Sequence, residues 1–241
     1  MRTLVISDVH SNLTALEAVI AAAGQFERVW CLGDIVGYGP DPNECIALIR
    51  TLPEVTSIMG NHDAAIMGFL DLNAFNDGAR LAIEQQANML TQESRDFLEL
   101  LDVRTALGEV SFAHGSPRNP IWEYMLSYPV AEANFDAYDT QICLFGHSHV
   151  PMIFIENKPA KPLALLPAHA DMWRSQKRFM LNPGSVGQPR DHNPKASFVI
   201  YDDEEQIWQF QRVSYDIDSV AERIIKRGLP AYFGKRLFQG D

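Results

Sequence analysis

The sequence predicts an α/β fold of two packed, mixed β-sheets flanked by helices, a four-layer αββα sandwich. Three observations carry that reading. The first 60 residues alternate strand, loop and helix; the second half strings together short strand candidates separated mostly by turns; and polar loops flanked by glycine follow the strands. At 241 residues the chain is long enough for one large domain with a substantial core.

Thr3 to Ser7 (TLVIS) is an apolar, β-branched run of strand length that stops at a polar SDVHSN loop. Leu13 to Ala23 has apolar residues at helical spacing, with Gly24 as a stop signal. Arg28 to Leu32 reads as a strand, followed by the loop GDIVGYGPDP and a helix from Asn43 to Arg50. Val55 to Met59 is the next strand and GNHD the next loop. Strands and helices alternating at this spacing imply parallel strands, whose ligands gather beyond their carboxyl ends. All three polar loops fall there. Asn73 to Leu101 reads as two helices meeting near Leu90 and Thr91, a cap-like segment of about residues 73–101. Strand candidates then follow at Glu109 to Ala113, Gln141 to Phe145, Met152 to Glu156 and Phe179 to Asn182. Ser197 to Tyr201 and Gln206 to Val213 form a hairpin around the acidic DDEE, and Asp218 to Arg227 is read as the final helix. With no internal repeat or linker, a single domain over residues 1–241 is expected.

Composition narrows the function. Hydrophobic residues make up 46% and charged residues 21%, as in ordinary globular proteins. The formal net charge of −11 argues against bulk nucleic-acid binding, which needs a basic face. The N-terminal apolar run is too short for a membrane span and lacks the regions of a signal peptide, so no membrane association and a cytoplasmic location are expected. Cys31, Cys45 and Cys143 are odd in number and form no CxxC pair, which suits buried thiols better than disulfides or zinc ligands.

Metal-binding residue types recur at five loop positions: Asp8 with His10, Asp34, Asn61 with His62, His114, and His147 with His149. Each follows a strand. At i and i+2 on an extended backbone, the Asp8/His10 and His147/His149 pairs would each project to one side. Gly33, Gly60, Gly115 and Gly146 flank these residues and permit sharp turns. Any one fragment is read more simply as a polar turn. Five in one chain, each after a strand, are hard to reach by turn chemistry alone. Imidazole, carboxylate and amide donors together suit Mn, Fe, Zn, Co or Ni rather than an all-thiolate site. Bound cations would also supply the local positive potential that an acidic protein needs to handle an anion.

The ordered series SDVH, GDIVGYG, GNHD, AHGSP and GHSH resembles the calcineurin-like metallophosphoesterases over the first 150 residues. GDIVGYGPDP, HGSPR and NPGSVGQPR are similar to its small prokaryotic, phosphodiesterase-like branch, extending the likeness to about residue 202. The resemblance implies two divalent metal ions. Asp8, His10 and His149 would hold one, Asn61, His114 and His147 the other, and Asp34 would bridge them. It implies hydrolysis of a phosphate ester, a small phosphodiester or nucleotide, by a metal-bridging hydroxide. His62 resembles the family's general acid, with Asp63 either orienting it or serving as an ordinary loop carboxylate.

Gly37 and Tyr38 stand where the protein-phosphatase branch, and the symmetrical dinucleoside-tetraphosphatases close to it, carry the Asp and Arg of GDxVDRG, which steers the reading away from protein phosphatases and towards small phosphoesters. Ser11 stands where many relatives have Gly. Arg118, Asn61 and Tyr38 are candidate substrate contacts, Arg118 because guanidinium pairs bidentately with phosphate. Tyr38, Trp122 and Tyr124 either wall the site for a nucleobase or aryl group or pack in the core, with core placement favoured for Trp122. His169 is read as a surface or packing residue, His192 as solvent-exposed, and the NPGS turn as structural. Two rivals stand beside this reading: a dinucleoside polyphosphate pyrophosphohydrolase, and a non-catalytic scaffold of the same fold. The complete ligand set and His62 argue against the scaffold.

Overall fold

The computed structural model describes residues 1–241. The strands are β1 (Arg2–Ile6), β2 (Arg28–Cys31), β3 (Val55–Ser57), β4 (Arg104–Leu107), β5 (Val110–Ala113), β6 (Ile142–Leu144), β7 (Met152–Ile155), β8 (Leu163–Leu165), β9 (Met172–Trp173), β10 (Phe179–Asn182), β11 (Ala196–Asp202) and β12 (Ile207–Val213). The helices are α1 (Leu13–Ala23), α2 (Pro42–Arg50), α3 (Asn61–Ile66), α4 (Asp77–Ala87), α5 (Gln92–Glu99), α6 (Tyr128–Phe135), α7 (Ile217–Lys226) and α8 (Ala231–Gln239). They form two six-stranded sheets, ordered β3-β2-β1-β11-β12-β9 and β4-β5-β6-β10-β7-β8. The first three strands run parallel, as do β5, β6 and β10, while the remaining pairings are antiparallel. Both sheets are therefore mixed.

Alternation along the strands sorts the core into layers. Val5, Trp30, Val199, Phe112, Leu144, Ile153 and Leu181 meet in one cluster between the sheets. Their sequence neighbours Leu4, Ile6, Phe198 and Ile200 turn outward against α1 and α2. Met152, Phe154 and Met180 do the same on the other side, against Phe135 of α6. That is the expected four-layer αββα arrangement. No helix is long and apolar enough to cross a membrane.

Helix starts follow the capping rules. Asn12, Asn76, Thr91 and Asp216 each accept a backbone N–H from the residue three positions on. The pair α4 and α5 meets at Leu90 and Thr91 as expected. Several elements escaped the sequence. Strand β4 lies on a sheet edge with three of its four residues exposed, and β8 and β9 are short, exposed pieces, so none carries an apolar pattern. Helix α8 runs unbroken through Gly234, which interrupts only its sequence pattern and whose missing Cβ lets it close on Ala221 of α7, since a Cβ there would lie 2.9 Å from that of Ala221. The GNHD segment, read as a loop, opens α3: Asn61, His62 and Asp63 form its first turn.

Candidate metal centre

The parallel strands of both sheets end on the same rim, and their following residues converge there. The geometry is not the extended one expected for the Asp8/His10 and His147/His149 pairs. Asp8, His10, Asp34, His147 and His149 all have positive φ, between 47° and 64°. Left-handed backbone at a residue with a Cβ costs about 1–2 kcal/mol, and Asp and His tolerate it better than most. Tight left-handed turns, not strand pleating, aim these side chains inward. Ser11 shares the conformation (φ 54°).

Two groups of donors result. Asp8, His10, Asp34 and His149 form one and Asp34, His114 and His147 the other, each with its ligand atoms within 4.8 Å of one another. Asp34 belongs to both. Asn61 joins the second group, its Oδ1 3.1 Å from His114 Nε2. All seven residues are buried.

The hydrogen bonds show what the cluster is built to hold. His10 Nδ1 donates to the Val36 carbonyl (3.0 Å), His114 Nδ1 to that of Leu32 (2.8 Å) and His149 Nδ1 to that of Gln188 (2.6 Å). A carbonyl only accepts, so each Nδ1 carries a proton; the Nε2 of neutral His10 and His149 turns a lone pair inward, and that of His114 does so once a cation takes the place of its proton. One oxygen of each carboxylate is likewise secured: Asp8 Oδ2 accepts from His147 N at 3.2 Å and Asp34 Oδ1 from His62 N at 2.8 Å. The other oxygens, Asp8 Oδ1 and Asp34 Oδ2, are buried without a hydrogen-bond partner, as is His147 Nε2. His10 Nε2 and His149 Nε2 lie 3.1 Å apart, and His149 Nε2 lies 3.2 Å from Asp8 Oδ1. Lone pairs gathered this closely away from water repel unless a cation lies among them. The donor set fits divalent metal ions with mixed nitrogen and oxygen preference.

The titration behaviour agrees. Burial lowers His10, His149 and His147, the last to about 3. For His114 burial is outweighed by the Asp34 and Asp8 carboxylates, which push it up to about 9. Protein charges alone thus leave the acidic pair seeking positive charge.

The supporting residues come from distant parts of the chain. Gln86 of α4 accepts from Gly37 N (2.7 Å) and Ser11 Oγ (3.0 Å) and donates to the Gly39 carbonyl (2.6 Å), clamping GDIVGYG. Gly37 has φ 107°, and a Cβ there would lie 2.6 Å from His62 Nδ1 and 2.9 Å from His10 Nδ1. The NPGS turn is scaffolding: Asn182 holds the Gly146 carbonyl (2.7 Å), and Ser185 Oγ donates to the Asp8 carbonyl (2.8 Å). Asp63 does not reach out to orient His62. Its carboxylate accepts from Gly60 N and Val36 N, tying two site loops together, and burial pushes it up to about 7.

Beside the donors lies a cavity of about 260 Å³, lined by Asp34, Tyr38, Asn61, His62, His147 and His149 together with residues the sequence did not single out. The latter are Phe75 and Asn76 before α4, Arg190 and Arg236. Tyr124 stacks on His147 with ring centroids 3.9 Å apart. Trp122 lines the cavity against Phe75 (4.8 Å), contrary to the core placement favoured for it. Tyr38 is buried and packs on His10 and His62 at 4.8 and 4.6 Å. Arg118, expected at the phosphate, is drawn away: its Nε donates to Glu123 Oε2 at 2.8 Å, and it does not line the cavity. An adjacent carboxylate captures it. His169 and His192 are exposed, His192 paired with Asp241 at 3.0 Å.

Comparison with known proteins agrees with this geometry. The calcineurin-like phosphoesterase superfamily domain matches residues 1–206. A crystal structure of a metallophosphoesterase from Sphaerobacter thermophilus superposes with a TM-score of 0.93 at 43% identity, covering 100% of this chain and 99% of that one. An uncharacterised protein of Methanocaldococcus jannaschii is 39% identical over 98% of this chain and 97% of its own length. A symmetrical bis(5'-nucleosyl)-tetraphosphatase of Pectobacterium atrosepticum is 32% identical over 71 residues only, 28% of this chain and 25% of that protein. With its motifs, donor cluster and two mixed sheets, the chain belongs to the calcineurin-like phosphoesterase superfamily.

Proposed function

We propose that this protein hydrolyses a small phosphate ester, a phosphodiester or nucleotide, at a site holding two divalent metal ions. Asp8, His10 and His149 take one ion, Asn61, His114 and His147 the other, and Asp34 both. The observation that carries the reading is that Asp8 Oδ1, Asp34 Oδ2 and His147 Nε2, all buried and unpartnered, belong to two donor groups that share Asp34 beside a cavity. Ions bound there supply an activated water as nucleophile and neutralise charge on the phosphoryl oxygens.

The chain's own groups do the rest. His62 presents its imidazole to the cavity, with Nδ1 buried and unpartnered. Burial pushes it down to about 4. It is therefore neutral at pH 7 when the site is empty of anion, and an anionic ester beside it opposes that shift. Its N–H donates to the departing oxygen, which needs a proton as the ester bond breaks. Tyr38 and Phe75 flank the ring and hold it in place. The turn before α4 places Phe75 and Asn76 over the cavity, and we read the helical segment as a partial cap that limits water. The three buried free cysteines suit a reducing, cytoplasmic setting.

A second reading, hydrolysis of dinucleoside polyphosphates, is favoured by the aromatic lining of Phe75, Trp122 and Tyr124, which offers flat surfaces for a base. Metal-stripped protein reconstituted with Mn, Fe, Co, Ni or Zn and assayed on an aryl phosphodiester, an aryl monophosphate and a dinucleoside polyphosphate tests both. Turnover that appears only on reconstitution is expected, and the preferred ester separates the two. No turnover with any metal or ester overturns hydrolysis and favours a scaffold.

A further inference from the structure

Neither arginine at the cavity has a carboxylate side chain within 4.0 Å, although the chain has 31 acidic against 20 basic residues. Several other part-buried arginines are paired: Arg178 with Glu156, Arg212 with Asp191 and Arg223 with Asp41. Arg190 instead contacts the neutral Gln188 Oε1 (2.9 Å), and its Nε is buried with no partner. Arg236 Nε donates to the Asp241 backbone carbonyl (2.8 Å). Both line the cavity beside the metal donors; burial and the charge of Arg190 lower Arg236, with the Asp241 carboxylate opposing. Two half-buried guanidinium groups lining one cavity make it a place that favours an anion, which each can grip through charge-assisted hydrogen bonds.

Their positions differ. Arg190 follows the NPGSVGQP segment, with its backbone N–H on the His149 carbonyl (3.3 Å), and lines the cavity beside His62 and His149. Its guanidinium lies 5.9 Å from the centroid of Tyr38, the residue standing where GDxVDRG has its arginine. Arg236 belongs to α8, outside the residues 1–206 matched by the family domain. It reaches the cavity from α8, which packs against Tyr38, whereas Arg190 is tied by its backbone to the donor His149. Helix α8 is held there by Phe233, packed edge-on to Tyr38 at 5.3 Å, and by the cluster of Val220, Ile224 and Leu237 with Ala79 and Ala82 of α4.

We propose that Arg190 and Arg236 form an anion subsite in which Arg190 grips the phosphoryl group at the metals and Arg236 takes a second phosphate of the substrate. The proposal rests on the phosphoester reading above and deepens it: the substrate class becomes a compound with two linked phosphates, such as a nucleoside di- or polyphosphate. Tyr38 links the two parts, since the same ring shields His62 and seats the helix that carries Arg236.

Calorimetric titration of metal-loaded protein with orthophosphate and pyrophosphate, at constant free metal, reads the subsite without turnover. Wild-type protein should bind pyrophosphate about tenfold or more tightly than orthophosphate, the worth of one charge-assisted hydrogen bond. Arg236→Met should remove most of that preference, and Arg236→Lys should keep a good part of it. Arg190→Met should weaken both anions alike. A wild-type protein without the preference, or Arg236→Met retaining it, overturns the proposal. The predicted binding order in a protein that turns over no ester would overturn hydrolysis and leave the subsite standing. Turnover with a flat anion preference would do the reverse.

Discussion

The two ends of the sandwich both carry a cavity, and the larger is not the one beside the metal donors. At the amino ends of β2, β3, β5, β6 and β10 a cleft of about 910 Å³ opens between the sheets, floored by Trp30, Tyr201 and Trp208. At the carboxyl ends the cavity is only about 260 Å³. What separates them is the gathering of ligand atoms. The small cavity is bordered by clustered carboxylate and imidazole donors, several of their atoms buried without partners and their backbone left-handed. The large one also has left-handed backbone, at Glu54 and Gln206, and an unpartnered Trp30 Nε1, but these stand apart among stacked rings, with Tyr201 and Trp208 4.0 Å apart. Unpartnered donors gathered together mark where a ligand completes the fold; volume does not.

Substitutions should separate the ends in a definite order. Asp34→Ala removes the one carboxylate common to both donor groups, and should reduce turnover to background and release metal from the whole site, measurable by metal analysis. Loss confined to half of the metal would break the idea of a shared ligand. His62→Ala should lower kcat about 10²–10⁴-fold, the range of a general acid, while metal content is kept. Unchanged kcat would remove His62 from that role. Gly37→Ala pushes a methyl to within 2.6 Å of His62 Nδ1 and 2.9 Å of His10 Nδ1. Metal affinity should fall about 10–100-fold, as when a ligand's supporting shell is disturbed.

Acid should act on the same end. In metal-free protein burial holds His62 near 4 and His147 near 3, below the ordinary 6.5. Their stabilising contribution is complete above 6.5. As pH falls from 6.5 towards 4, the unfolded chain takes up protons that these folded rings refuse, and stability drops. Asp63, raised to about 7, opposes this by keeping its proton when folded. His114, raised to about 9, has given its full contribution by pH 6.5. With His10 and His149 also lowered, the histidines prevail. Urea unfolding of metal-free protein should show falling stability from pH 6.5 to 4.5, up to about 1.4 kcal/mol per pH unit for each net proton, and His147→Asn should flatten the slope. A flat wild-type profile would contradict the neutral, buried histidines. The smallest effect belongs to the other end: Gln176→Ala, on the rim of the large cleft, should shift stability by no more than about 0.5 kcal/mol and leave metal content as it was.

The same contrast explains what the sequence disclosed. Strands β1, β2 and β10 are buried throughout or nearly so, and their apolar runs announce them; β4, β8 and β9 are exposed edges with no such pattern. The donor residues are legible because each follows directly on a strand and belongs to an ordered motif. Their geometry was not, because the left-handed turns at Asp8, His10, His147 and His149 leave no mark at residues that are not glycine. Arg190 and Arg236 reach the site through folding over long sequence separations, Arg236 on a helix broken in pattern by Gly234. Arg118 lay in the right motif, but only tertiary structure shows Glu123 holding it. The one available signal for Arg190 was its place at the end of NPGSVGQPR, a motif whose scaffold role is plain but whose last side chain turns to the cavity.

The most direct test of the central claim is anomalous diffraction from crystals grown with manganese, collected at an energy where manganese scatters anomalously. Two peaks are predicted, one among Asp8, His10 and His149 and one among Asn61, His114 and His147, with Asp34 touching both. A single peak away from Asp34, or no peak at this rim, would contradict it.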